Sequence, residues 1–104
     1  MARERLYLTE NQGKVLVKEL LDKYGVFHWP ASASPYGVGG VPDRLAILPR
    51  TGRLLGIEVK TPGKKPTALQ SMFGMKMTKS GAVWVLIDGK ESLAELERFL
   101  EETL

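Results

Sequence analysis

Three side chains in this sequence have the types and spacing for chemistry on an anion: Asp43, Glu58 and Lys60. Asp43 follows Val41-Pro42 and leads into Arg44-Leu-Ala-Ile-Leu48, while Glu58 and Lys60 lie two residues apart in the stretch from Arg53 to Lys60. Residues i and i+2 of a strand share a face, so Glu58 and Lys60 project together, and Ile57 and Val59 turn to the other face, where a core wants them. With the two stretches as arms of a hairpin, Asp43 comes near Glu58 across the pair. Two hard oxygen donors suit a small divalent cation such as Mg2+ or Mn2+, which keeps several waters and also binds phosphate. Such a cation polarises a phosphate and acidifies bound water. Two jobs are then open to Lys60: stabilising charge that develops on the phosphate, or positioning the attacking water. Singly, each residue is ordinary, because a Glu-x-Lys pair on a strand is commonly just solvated and Asp after Pro is a frequent turn residue. Their joint occurrence, with a hairpin between them, singles them out.

The elements that must position these groups follow from periodicity and caps. Thr9 and Gln12 form a capping box, and Val17, Leu20, Leu21 and Tyr24 recur at helical spacing, which predicts a helix over Glu10 to Tyr24 stopped by Gly25. Val26 to Trp29 is a short strand, and residues 30–40 are a loop of small residues. Arg44 to Leu48 and Arg53 to Lys60 are the hairpin strands, joined by Pro49-Arg-Thr-Gly52. A helix from about Thr67 to Ser80 ends at Gly81. Val83 to Ile87 is a continuous apolar run, the pattern of a strand buried on both faces. Ser92 and Glu95 suggest a second capping box, and Leu93, Leu96, Phe99 and Leu100 supply the inner face of a final helix. The order αβββαβα implies an α/β fold, one mixed β-sheet flanked by helices, with residues 53–87 forming a right-handed crossover between parallel strands.

The whole chain, 1–104, has the length of one domain. It contains no cysteine, which excludes disulfides and thiolate metal sites and leaves oxygen and nitrogen ligands. The beginning, MARERLYLTE, lacks the apolar run of a signal peptide, and no apolar stretch approaches the ~18 residues of a membrane span, so the expected location is the cytoplasm. The net charge of +3 is unevenly spread: residues 43–79 hold eight basic and two acidic side chains, a balance of +6, and the remainder is at −3. A segment this basic suits a polyanion such as nucleic acid, or is a solvated surface.

The run Gly40-Val-Pro-Asp43, the hairpin, then Ile57-Glu-Val-Lys60-Thr-Pro-Gly63 and Gln70 resembles the VRR-NUC branch of the PD-(D/E)XK nucleases, over Glu10 to about Ile87. The resemblance implies a restriction-endonuclease-like core. It implies Asp43, Glu58 and the Val59 carbonyl as ligands of Mg2+ or Mn2+, Lys60 as a catalytic residue, and Glu10 and Gln70 as further members of the site. It also implies an endonuclease acting on branched or otherwise structured DNA, of the kind encoded by phages and mobile elements. A single domain without a separate DNA-binding module gains reach by dimerising, so a homodimer acting on paired strands, such as those of a Holliday junction, is expected. The alternatives are a catalytically silent nuclease fold that holds DNA or a protein, and an interaction protein that docks through residues Ser92 to Leu104.

Residue positions bear on these assignments independently. Glu10 lies seven residues before Val17, on the inward helix face, where an acid needs a partner; otherwise it serves the helix dipole. Gln70 lies seven before Met77 on the stripe that holds Phe73, or is an ordinary first-turn polar residue. Lys64, Lys65 and Arg44 are candidate phosphate contacts. Gly37, Gly39 and Gly40 either admit a phosphate to the backbone or permit a sharp turn. His28, without a partner of any familiar catalytic kind, reads as structural. Tyr36 and Trp29 suit packing more than base stacking, and Met72, Met75 and Met77 suit a helix packing surface.

Overall fold

Each sequence signal for chain reversal is spent on a specific backbone need. The computed structural model describes residues 9–31 and 39–104. Thr9 Oγ1 accepts the Gln12 N–H and Gln12 Oε1 accepts the Thr9 N–H, both at 3.2 Å, opening α1 (Glu10–Lys23). Gly25, at φ +66°, turns the chain out of α1 into β1 (Phe27–Pro30). Strands β2 (Arg44–Ile47) and β3 (Leu54–Val59) form the expected hairpin. Leu48 N–H donates to the Arg53 carbonyl at 2.8 Å, and the turn between them carries positive φ at Arg50 and Gly52.

The chain then runs through α2 (Ala68–Lys79), β4 (Val83–Ile87) and α3 (Lys90–Thr103), completing the order αβββαβα. The sheet order is β1-β2-β3-β4, with β1, β2 and β3 antiparallel in sequence and β4 parallel to β3. Leu55, Ile57 and Val59 of β3 face a core built with Val17 and Leu21 of α1 and Leu96 and Leu100 of α3. Fully burying one such aliphatic side chain contributes about 1.5–3 kcal/mol.

The alternate residues of β3 face α2, which approaches the sheet where side chains are missing. A Cβ on Gly56 would lie 2.7 Å from Met77 Cε, and one on Gly74 would lie 2.6 Å from the Trp84 ring. These two absent methyl groups set the height of α2 above the sheet. No helix among the described residues is long and apolar enough to cross a membrane.

Two expectations about the second half change. Val83–Ile87 is a strand, but β4 lies at the sheet edge and only Ile87 is buried; β3 is the strand covered on both faces. An apolar run does not tell a central strand from an edge strand that has helices on both sides. Helix α3 begins earlier than the Ser92–Glu95 box implies, with Gly89 at the N-cap. Ser92 sits inside the first turn, where its hydroxyl accepts the Asp88 N–H at 2.9 Å and donates to the Gly89 carbonyl. The serine thus braces the turn from within.

Candidate active site

The hairpin register pairs Arg44 with Ile57, and one further rung sets Asp43 opposite Glu58. Asp43 is pinned twice: its carbonyl accepts the Ala31 N–H at 3.0 Å, and its Oδ2 accepts the Val59 N–H at 2.7 Å. The second bond makes the side chain a substitute rung, continuing the ladder past the end of β2.

Glu58 is only 1% exposed, the one acid or base among the buried side chains of the described residues. Its Oε2 accepts the Gln70 amide N–H at 3.1 Å, while Oε1 is buried with no N–H donor. Burial, then a hydrogen bond from the Glu58 carboxyl to neighbouring Asp43 and the repulsion of the Asp43 charge, push the Glu58 carboxyl up to about 8. The Lys60 ammonium pulls the other way, and the charge of Glu10 adds to the upward push. Lys60 itself follows β3 directly, its backbone N–H bonded to the Ile87 carbonyl at 2.9 Å.

Gln70 divides its amide between two tasks. Its Oε1 closes the α2 capping box on the Thr67 N–H at 2.8 Å, and its Nε2 holds Glu58. A glutamate there would still cap the helix but would leave Glu58 Oε2 without its amide donor. That double duty is the physical reason for an amide.

Asp43, Glu58, Lys60 and Gln70 are therefore gathered, and Glu10 is close enough for its charge to be felt. Among the described residues, however, no group of three or more His, Asp or Glu side chains is placed to hold a metal ion alone. The donor set is a carboxylate pair. A buried glutamate oxygen lacking any donor, facing a second acid, fits a small hard cation that completes its shell with water. Lys14 is an unforeseen member: its Nζ lies 3.6 Å from Asp43 Oδ1. At i+4 from Glu10 it reads in sequence as half of an ordinary helix-surface pair, so only the fold discloses it.

Other expected contacts are distributed differently. Arg44, next to Asp43 but on the opposite face, contacts His28 Nδ1 at 2.7 Å instead of joining the carboxylates. Arginine only donates, so Nδ1 accepts and the His28 Nε2–H donates to Asp22 Oδ1 at 2.6 Å. His28 is structural, as its isolation in sequence implied, and it ties α1 to β1 and β2. A Cβ on Gly40, which has φ +86°, would collide with the Leu69 carbonyl in the first turn of α2, so that glycine has a packing reason. Gly39 abuts the Leu69 side chain. Lys64 and Lys65 are exposed beyond the Thr61–Lys64 turn, where the Lys64 N–H donates to the Thr61 carbonyl and Gly63 has φ +91°. Tyr36 and Gly37 lie outside the described residues.

Similarity to known proteins agrees with this fold. No family model matches the chain. It is 33% identical over 87 residues to protein p44 of Acyrthosiphon pisum secondary endosymbiont phage 1, whose name carries a provisional nuclease designation; the match spans 84% of this chain and 89% of that one. A solved structure described as a VRR_NUC domain superposes with a TM-score of 0.75 at 26% identity, covering 88% of this chain and 97% of the other.

Proposed function

The chain belongs to the VRR_NUC family of nucleases, and on that premise we propose that it is a divalent-metal-dependent DNA endonuclease. We infer that it hydrolyses phosphodiester bonds in branched or otherwise structured DNA as a homodimer, in the cytoplasm of a bacterial or phage-infected cell. The observation that carries the reading is the opposed Asp43–Glu58 pair, with a buried Glu58 oxygen that has no donor. A buried Glu58 carboxyl held protonated beside Asp43 stores a cost that a hard cation relieves by replacing the proton.

In this reading Asp43 and Glu58 would hold Mg2+ or Mn2+ with the Val59 carbonyl and waters, and Glu10, the further acid expected here, would act through its nearby charge or an intervening water. The bound ion supplies charge neutralisation at the scissile phosphate and acidifies water. Hydrolysis joins a water oxygen to phosphorus and breaks one bridging P–O bond, the departing oxygen taking up a proton. Lys60, on the same face as Glu58, stabilises negative charge growing on the phosphate oxygens or steadies the incoming water. Gln70 fixes the rotamer of Glu58. Lys64 and Lys65, and the backbone around Gly39 and Gly40, line the approach of the DNA backbone.

The test is incubation of the pure protein with branched and linear DNA in Mg2+ or Mn2+, with chelator as control, alongside a measurement of molar mass in solution. Branched DNA should be cut preferentially by a dimer. Lys60→Ala and Asp43→Asn should each lose at least ~100-fold in rate. Cleavage that persists in chelator or in either variant would overturn the assignment.

A further inference from the structure

We propose that Lys14 is a displaceable counter-ion of Asp43 that opposes the divalent cation until a DNA phosphate arrives to take it. The proposal rests on the metal-dependent reading above. Lys14 reaches from α1 across to the sheet, with Nζ 3.6 Å from Asp43 Oδ1, whereas Lys18, one turn later, pairs with Asp22 of its own helix at 3.0 Å. The other Asp43 oxygen, Oδ2, is committed to the Val59 N–H at 2.7 Å. Oδ1 is therefore the oxygen with more capacity left for a cation bridging to Glu58, and Lys14 already lies against it.

Two cations at one carboxylate oxygen repel, so metal entry displaces the ammonium. Lys14 can leave without moving its helix, because its side chain is 42% exposed on a flexible four-carbon stem. It remains tethered at the rim of the carboxylate pair, where the chemically complementary group is a phosphate oxygen. A phosphate lying between ammonium and metal ion removes their repulsion. Each ligand then favours the other, and the DNA-free protein keeps a low appetite for the metal.

Calorimetric titration of Mn2+ into the DNA-free full chain should show Lys14→Met binding the ion roughly three- to fivefold more tightly than wild type, the size expected for removing a half-exposed ion pair. Anisotropy of a labelled branched DNA, with Ca2+ in place of the catalytic ion, should show the same variant binding DNA more weakly. Lys18→Met should do neither, and Lys14→Gln should repeat both effects if Lys14→Met melts abnormally. The two changes must occur together. Unchanged or weaker Mn2+ binding in both Lys14 variants overturns the inference, as does undiminished DNA affinity or an equal effect at Lys18. If no form of the protein binds Mn2+, the metal reading itself falls, an outcome distinct from equal binding by all forms.

Discussion

At Glu58, burial and a facing acid act in the same direction, and the sign of the result can be worked through. Its carboxyl titrates near 8 in the fold against an ordinary 4.5. Between those values the folded chain holds a proton that the unfolded chain has released, so this group's contribution to stability falls as pH rises from about 4.5 to about 8. The metal-free protein should therefore gain from Glu58→Gln, and the difference in melting temperature between variant and wild type should widen across that window. A difference that stays flat with pH would show that the carboxyl is not held protonated. Gln70 offers a companion experiment. Gln70→Glu keeps the α2 cap but replaces the Glu58 donor with a second acid, so it should destabilise by about 1–3 kcal/mol in denaturant above about pH 8, where Glu58 is ionised, and recover in acid. At this scale the sequence was partly legible. The Pro-Asp and Glu-x-Lys runs marked Asp43, Glu58 and Lys60, but the amide divided between cap and carboxylate, and the ammonium of Lys14, depend on packing distances that no local pattern encodes.

Helix α2 meets the sheet at Gly56 and Gly74, and that closeness is what lets Gln70 reach Glu58. Gly74→Ala would force a methyl group into the Trp84 ring and should cost about 1–3 kcal/mol by denaturant midpoint, despite the better helix propensity of alanine. A stabilised Gly74→Ala would mean that α2 can ride higher over the sheet without strain. Caps and glycine stops made α1 and α2 readable nearly to the residue, because a helix end is a local problem with local solutions. The edge position of β4 was not readable, since it depends on which strands flank it. The start of α3 was misread because Ser92 serves the same turn from inside the helix.

Over the whole molecule, the basic segment of residues 43–79 divides into groups with different employment. Arg53 donates from Nε to the Gly81 carbonyl at 2.8 Å and Arg44 is tied to His28, whereas Lys64 and Lys65 stand exposed just past the Glu-x-Lys strand. If those two lysines meet DNA phosphates, replacing both by alanine should flatten the salt dependence of DNA binding by about 1.8 in log–log slope, at ~0.9 per phosphate contact on a duplex. An unchanged slope would assign the phosphate contacts to other cations. Charge counting found the lopsided segment, but it could not tell a cation occupied within the fold from one facing solvent.

The rung that Asp43 lends to the ladder also guards the alignment of the hairpin. Slipping β2 against β3 by a single residue would invert every side chain of the slipped strand and break the bond to Val59. The acid proposed to serve hydrolysis is thus also a proofreading pin for strand pairing. Asp43→Asn keeps an oxygen for that pin and Asp43→Ala does not. A dead enzyme with faithful pairing is to be sought in the asparagine, and the alanine form invites mispaired, aggregation-prone chains.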